Sequence, residues 1–315
     1  MLAANASLAS VNHRFFWGQS VVQALLILLS ISQSEAGGAF LSLFAIVALV
    51  FVGVPHGGND FFYRPNKSVR GSLLFLLYYL GSMALYAALW FVFPLLALLL
   101  FLVISMHHFG QSNFLSDRWF VPESLLWGGW LLVYPVLMHL PEAMAVFSQM
   151  LGDKTVQNYR AWQLSPSMLL VIALTFGLVY AWILNRRNIA HRWQYLLQWI
   201  LVSVWYWVSP LILGFVVVFC LWHAGQSMRY QVVYILRDTD RSVGRVLMGF
   251  MPLGFVALLA WVVLSVWTTQ NALSTFSFSR LDESMPLGLG FVLLSLVTLP
   301  HVVVMDGIYR TESHR

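Results

Sequence analysis

Charge and thiols are what this chain has least of. Only 9% of its 315 residues are Asp, Glu, Lys or Arg, against about 25% in an ordinary soluble domain. With 60% hydrophobic residues and a mean hydropathy of +0.77, there is too little polar surface to cover a water-soluble fold. Lipid is the expected solvent for much of the chain. Cys220 is the only cysteine, which excludes a disulfide framework and a thiolate metal site. No His-Glu-x-x-His occurs, so a metalloprotease of that type is excluded. No soluble domain, low-complexity tract or linker interrupts the apolar runs. The formal net charge of +5 gives no ground for nucleic-acid binding, because Lys and Arg collect on the cytoplasmic side of membrane proteins for topological reasons. No cleavable leader is expected, and the first apolar run reads as a span.

What is abundant is apolar length. A span needs roughly 20 apolar residues, and the candidates are 17–34, 39–55, 72–93, 94–109, 121–140, 167–185, 193–209, 210–228, 246–268 and 286–305. The expected fold is all-α, a polytopic transmembrane bundle of about ten spans, eight to ten given the short first two, in one integral membrane domain over 1–315. Pro94 and the Ser209-Pro210 step divide stretches too long for one helix, since proline removes a backbone donor and clashes with the preceding turn. With the N-terminus in the cytoplasm, only Lys154, Arg160 and Arg280 of the 17 basic residues fall outside. That bias predicts cytoplasmic N- and C-termini, an even span count and a multi-pass cell-membrane protein.

The sequence holds nine histidines. His13 and His314 lie near the ends, His191 in a basic loop and His139 at the outer end of a span. The remaining five stand apart. His56, His107, His108, His223 and His301 fall late in spans that all run outward to inward, so they share one depth at the cytoplasmic ends. Ionisable groups inside a membrane are costly and mark sites or pathways. Imidazole suits Fe, Zn, Cu and Ni, and helix C-termini carry the partial negative charge that favours a cation. One histidine alone reads as an interhelical hydrogen-bonder. Four at one depth read as a metal site with open positions, and His107 is a neighbour of the set. A ligand imidazole donates its other N–H to a carboxylate, carbonyl or water, and Asp60, Asp306, Gln111 and Gln226 are the candidates for that supporting role.

The local motifs are Pro-His-Gly-Gly-Asn-Asp (55–60), His-Phe-Gly-Gln-Ser (108–112), Trp-His-Ala-Gly-Gln-Ser (222–227) and Pro-His-Val-Val-Val-Met-Asp (300–306). In this order they resemble the Brp/Blh family of membrane β-carotene 15,15′-dioxygenases, over residues of about 55 to 306. The resemblance implies an Fe(II) enzyme that uses O₂ to cleave the central double bond of β-carotene to two retinals. A retinal-binding rhodopsin would be a product acceptor. By position, His56, His108 and His223 match the family's metal-ligand histidines. The family's third motif is His-x-x-x-His, whereas Ser227 stands four residues after His223 here. Water in that place or a diverged activity would answer the difference, and His301 is the preferred fourth ligand.

Three other readings compete. A desaturase or hydroxylase needs His-x-x-x-His and His-x-x-His-His boxes, which are lacking. A transporter would use the His/Asp cluster for protons or metal, but calls for acidic or broken helices at mid-membrane, whereas these acidic residues sit at span ends and in loops. A retinal-protein assembly factor is the third reading.

Overall fold

The computed structural model describes residues 2–64, 66–114, 121–151, 164–237, 242–249 and 287–313, with isolated helical positions at 252, 255, 256 and 259. Among the described residues the fold is all-helical. The long elements are α1 (Leu2–Ile31), α2 (Glu35–Ala48), α3 (Val54–Gly58), α4 (Val69–Val92), α5 (Pro94–Gln111), α6 (Pro122–Met138), α7 (Leu140–Leu151), α8 (Pro166–Arg186), α9 (Arg192–Val208), α10 (Leu211–Val218), α11 (Gly225–Arg237) and α12 (Leu287–Ser313). Two π-helical turns, Leu49–Gly53 and Phe219–Ala224, join α2 to α3 and α10 to α11 without a break in direction.

The helix starts follow from local sequence. Ser34, Ser68 and Ser165 cap α2, α4 and α8, each accepting a hydrogen bond from a backbone N–H three residues on, of Gly37, Gly71 and Met168. Pro94, Pro122 and Pro166 occupy first helical positions, where the missing N–H costs nothing. The predicted break at Pro94 falls between Val92 and α5, and the break at Ser209-Pro210 falls between α9 and α10.

Among the described residues, seven segments are long and apolar enough to cross a membrane, or eight if the bent pair α6 and α7 counts as one. This is fewer than the ten expected, for three reasons. The stretch 193–209 forms only the 17-residue α9, whose first turns carry Arg192, Gln194 and Gln198. The expected span 246–268 lies mostly outside the described residues. The expected span 121–140 ends at His139, where α7 turns away from α6 by 105°. Large apolar side chains face outward, Leu77 at 61%, Leu85 at 74% and Phe91 at 89% exposure on α4 alone. Such a surface suits lipid rather than water.

Inside, the packing is aromatic. Trp127, Trp205, Trp222, Tyr134, Tyr180 and Tyr206 are almost fully buried. Helices α5 and α6 approach until their backbones touch. A Cβ on Gly110 would collide with the Ser124 carbonyl, and one on Gly128 with the Met106 carbonyl. Small residues permit this approach where no hydrophobic force drives helices together. It seats the end of α5, with His107 and His108, firmly against a neighbour.

Candidate metal centre

Four helical segments bring one buried imidazole each into ring contact, and His56, His108 and His301 form the closest set. His56 comes from α3, His108 from the last turns of α5, His223 from the second π turn and His301 from α12 after Pro300. Ring centroids lie 4.6 Å apart for His108 and His223, 4.9 Å for His108 and His301, 5.0 Å for His56 and His301, and 5.2 Å for His56 and His223. His56, His108 and His301 each offer a nitrogen, all within 4.8 Å of one another. None of the four rings is more than 6% exposed.

Hydrogen bonds decide which nitrogen each ring presents. His56 Nδ1 donates to the Gly53 carbonyl, an oxygen that can only accept. His301 Nδ1 lies 2.9 and 3.0 Å from the Asp60 carboxylate oxygens, and Tyr79 Oη donates to Asp60 Oδ2 at 2.9 Å. Ser112 spends its single hydroxyl proton on the Phe109 carbonyl at 2.8 Å. The Ser112 oxygen therefore accepts from His223 Nδ1, 3.1 Å away. In all three rings Nδ1 carries the proton and Nε2 keeps its lone pair, as neutral metal-ligating histidines require. His223 Nε2, His301 Nε2 and both nitrogens of His108 have no hydrogen-bond partner among the described residues. Buried polar atoms without partners are rare and call for an explanation such as an ion. A donor set of imidazoles suits a divalent transition metal, and His56, His108 and His301 could hold one.

The π turns shape the site. A π turn shifts the hydrogen-bond register by one residue and is frequent at functional positions. The first places Gly53 so that its carbonyl meets the His56 ring. A Cβ on Gly53 would come within 3.1 Å of Cys220 Sγ and 3.2 Å of Phe219, so the two π turns pack directly on one another. Phe109 stacks on the His223 ring at 4.1 Å.

The other residues singled out from sequence fall into two groups. Asp60 holds a site histidine, His301, through its side chain. Gln111 instead donates to Asp306 Oδ1 at 2.8 Å, and Arg310 holds Asp306 Oδ2 at 2.7 Å. Gln226 pairs with Gln19 of α1 at 3.4 Å. Ser227 shares a 2.7 Å hydrogen bond with Tyr309 Oη. His107 is fully buried behind His108. Sequence reasoning gave no role to Tyr79, Ser112 or Gln231, whose Nε2 donates to the His56 carbonyl at 2.6 Å.

A cavity of about 580 Å³ opens from the histidines and runs between α2, α5, α6, α7, α10 and α12. Its walls are almost wholly apolar, with Leu98 of α5, Val146 and Met150 of α7, Leu211 of α10 and Leu287 of α12 at its far end. The volume lies within the roughly 300–1,000 Å³ of ordinary ligand sites.

These features define a chain of membrane-crossing dimensions with a buried histidine cluster at one end of an apolar cavity. Residues 47–309 match the β-carotene 15,15′-dioxygenase family, and the chain belongs to it. It is similar to the β-carotene 15,15′-dioxygenase of uncultured marine bacterium 66A03, 23% identical over 86% of this chain and 95% of that one. It is likewise similar to the probable β-carotene 15,15′-dioxygenase Blh of Halobacterium salinarum, 25% identical over 85% of this chain and 84% of the relative. No solved structure matches.

Proposed function

We propose that the protein cleaves β-carotene at its central 15,15′ double bond with O₂, one oxygen atom going to each carbon, to give two retinals. The observation that carries this reading is the histidine cluster at the end of an apolar cavity in a member of this family. Nε2 of His56, His223 and His301 and one nitrogen of His108 would hold Fe(II). When bound, iron supplies the activation of O₂ that a hydrocarbon cannot provide.

The protein's own contribution is position and dryness. Cavity-lining residues run from His301 back to Leu287 on α12 and from His223 back to Leu211 on α10. At 1.5 Å per residue these reaches are about 21 Å and about 18 Å. An extended carbon chain advances roughly 1.2 Å per bond, so the roughly ten bonds from the central double bond to a terminal ring need about 12 Å. The cavity therefore suits one half of the symmetric substrate, ring included, with the central bond beside the histidines. Apolar walls fix the polyene by shape and keep water from the site. Asp60 and Ser112 keep the Nδ1 protons of His301 and His223 away from the reacting side.

The site would lie at the cytoplasmic ends of the spans of a multi-pass cell-membrane protein with both termini inside, the whole of 1–315 serving as one domain. A retinal-binding rhodopsin would take the product. Expression in cells that accumulate β-carotene tests the reaction. Loss of the carotenoid with retinal accumulating is expected, and unchanged pigment beside folded, metal-loaded protein would overturn it.

A further inference from the structure

Helix α1 precedes the residues that match the family, which begin at 47, yet it reaches the histidine site. Its inward face carries Gln19, Ser20 and Gln23, all at most 6% exposed. Glutamine pairs on an apolar helix need partners, because lipid offers none. The partners lie on one short segment. Gln19 Nε2 donates to the Leu221 carbonyl. Trp222 Nε1 donates to Gln23 Oε1 at 3.0 Å. Gln226 Nε2 closes the ladder on Gln19 Oε1 at 3.4 Å, and Phe16 packs on Trp222 at 5.8 Å between ring centroids.

Leu221 and Trp222 immediately precede His223 inside the π turn Phe219–Ala224. A π turn breaks the α-helical hydrogen-bond register, and a carbonyl displaced from that register needs another donor when no water is at hand. Gln19 supplies it at Leu221. Gln23 fixes the rotation of the next residue, Trp222. A relaxed α-helical turn would rotate His223 away from its place beside His108.

We infer that Gln19 and Gln23 are positioning residues for the metal centre, acting through the π turn that presents His223. The inference rests on the metal centre proposed above. Its chemistry is that of outer groups that orient a ligand, whose removal typically costs 10–100-fold in metal affinity.

The test is Co(II) titration of the purified full chain, read from ligand-field absorption, for Gln19→Leu, Gln23→Leu, Gln23→Glu and Ser30→Ala. Ser30 belongs to the same helix but donates to the Val208 carbonyl at 2.5 Å, at the far end of the contact. Co(II) affinity about 10–100-fold weaker with an altered spectrum is expected for both leucine variants. Wild-type behaviour is expected for Ser30→Ala. Gln23→Glu keeps an acceptor for the Trp222 indole and should stay within about threefold of wild type. Wild-type affinity and spectrum in the leucine variants would overturn the inference. So would an equal loss in Ser30→Ala, which would mark α1 as general support. If Gln19→Leu fails to fold, the contrast between Gln23→Leu and Gln23→Glu decides, and equal loss in both overturns it. A wild-type chain that takes up no Co(II) would instead overturn the metal centre, and the inference with it.

Discussion

Asp60 and Ser227 make opposite predictions from similar depth. The Asp60 carboxylate, 2% exposed, holds His301 Nδ1 and is itself held by Tyr79. Asp60→Asn keeps the shape but removes the charge that favours a donated N–H. Iron affinity should fall about 10–100-fold, measured as metal content after dialysis against graded chelator. Ser227 stands four residues after His223, and its hydroxyl is engaged by Tyr309. Ser227→Ala should cost about 1–3 kcal/mol of stability through the stranded phenol, yet leave iron content unchanged. Loss of iron would make Ser227 a participant in the centre. His301→Ala is the complement, and wild-type iron content there would remove His301 from the ligand set.

At the scale of the element, helix α7 and the α5–α6 crossing determine what reaches the histidines and how firmly. Ala143 of α7, 2% exposed, faces the cavity wall. Ala143→Trp would fill space that the polyene needs. Retinal formation should drop by more than tenfold at unchanged iron content, measured in one preparation. Retained turnover would place the substrate elsewhere. At the α5–α6 crossing, Gly128→Ala forces the backbones apart and should cost about 1–3 kcal/mol, read as a lower midpoint of thermal unfolding. Much of this element layout could be read from the chain itself. Pro94 and Ser209-Pro210 mark breaks because proline chemistry is local, and His56, His108, His223 and His301 stand out because imidazole in an apolar run is rare. The π turns could not be read, since no residue type specifies a one-residue register shift. The bend at His139 was also hidden. Pro135 lies inside α6, and the turn depends on distant partners, with His139 Nε2 3.1 Å from the Tyr206 carbonyl. Gln111 and Asp306 were plausible partners for histidines on spacing alone, but Gln111 donates to Asp306 instead, across 195 residues. Gln19 and Gln23 left a signal that went unused, two amides one turn apart on an apolar helix.

For the whole molecule, the basic residues predict which end of the bundle faces the cytoplasm. Ser167 and Asn185 lie near opposite ends of α8 and are exposed, and Cys220 is buried, so single cysteines can be placed there with little background. A membrane-impermeant maleimide on intact cells should label Ser167→Cys and spare Asn185→Cys. The reverse pattern would invert the bundle.

The distance along the chain between Asp60 and His301, 241 residues, bears on biogenesis. Asp60 and three of the four histidines emerge from the ribosome well before α12, and a carboxylate enters the apolar interior with no imidazole to receive it. The centre closes only when the last described helix docks. Capture of the proposed metal would then be the final step of assembly and, because binding would stabilise only the docked state, a latch on insertion. A chain ending before residue 287 should reach the membrane, stay metal-free and be cleared by quality-control proteases faster than the full-length protein.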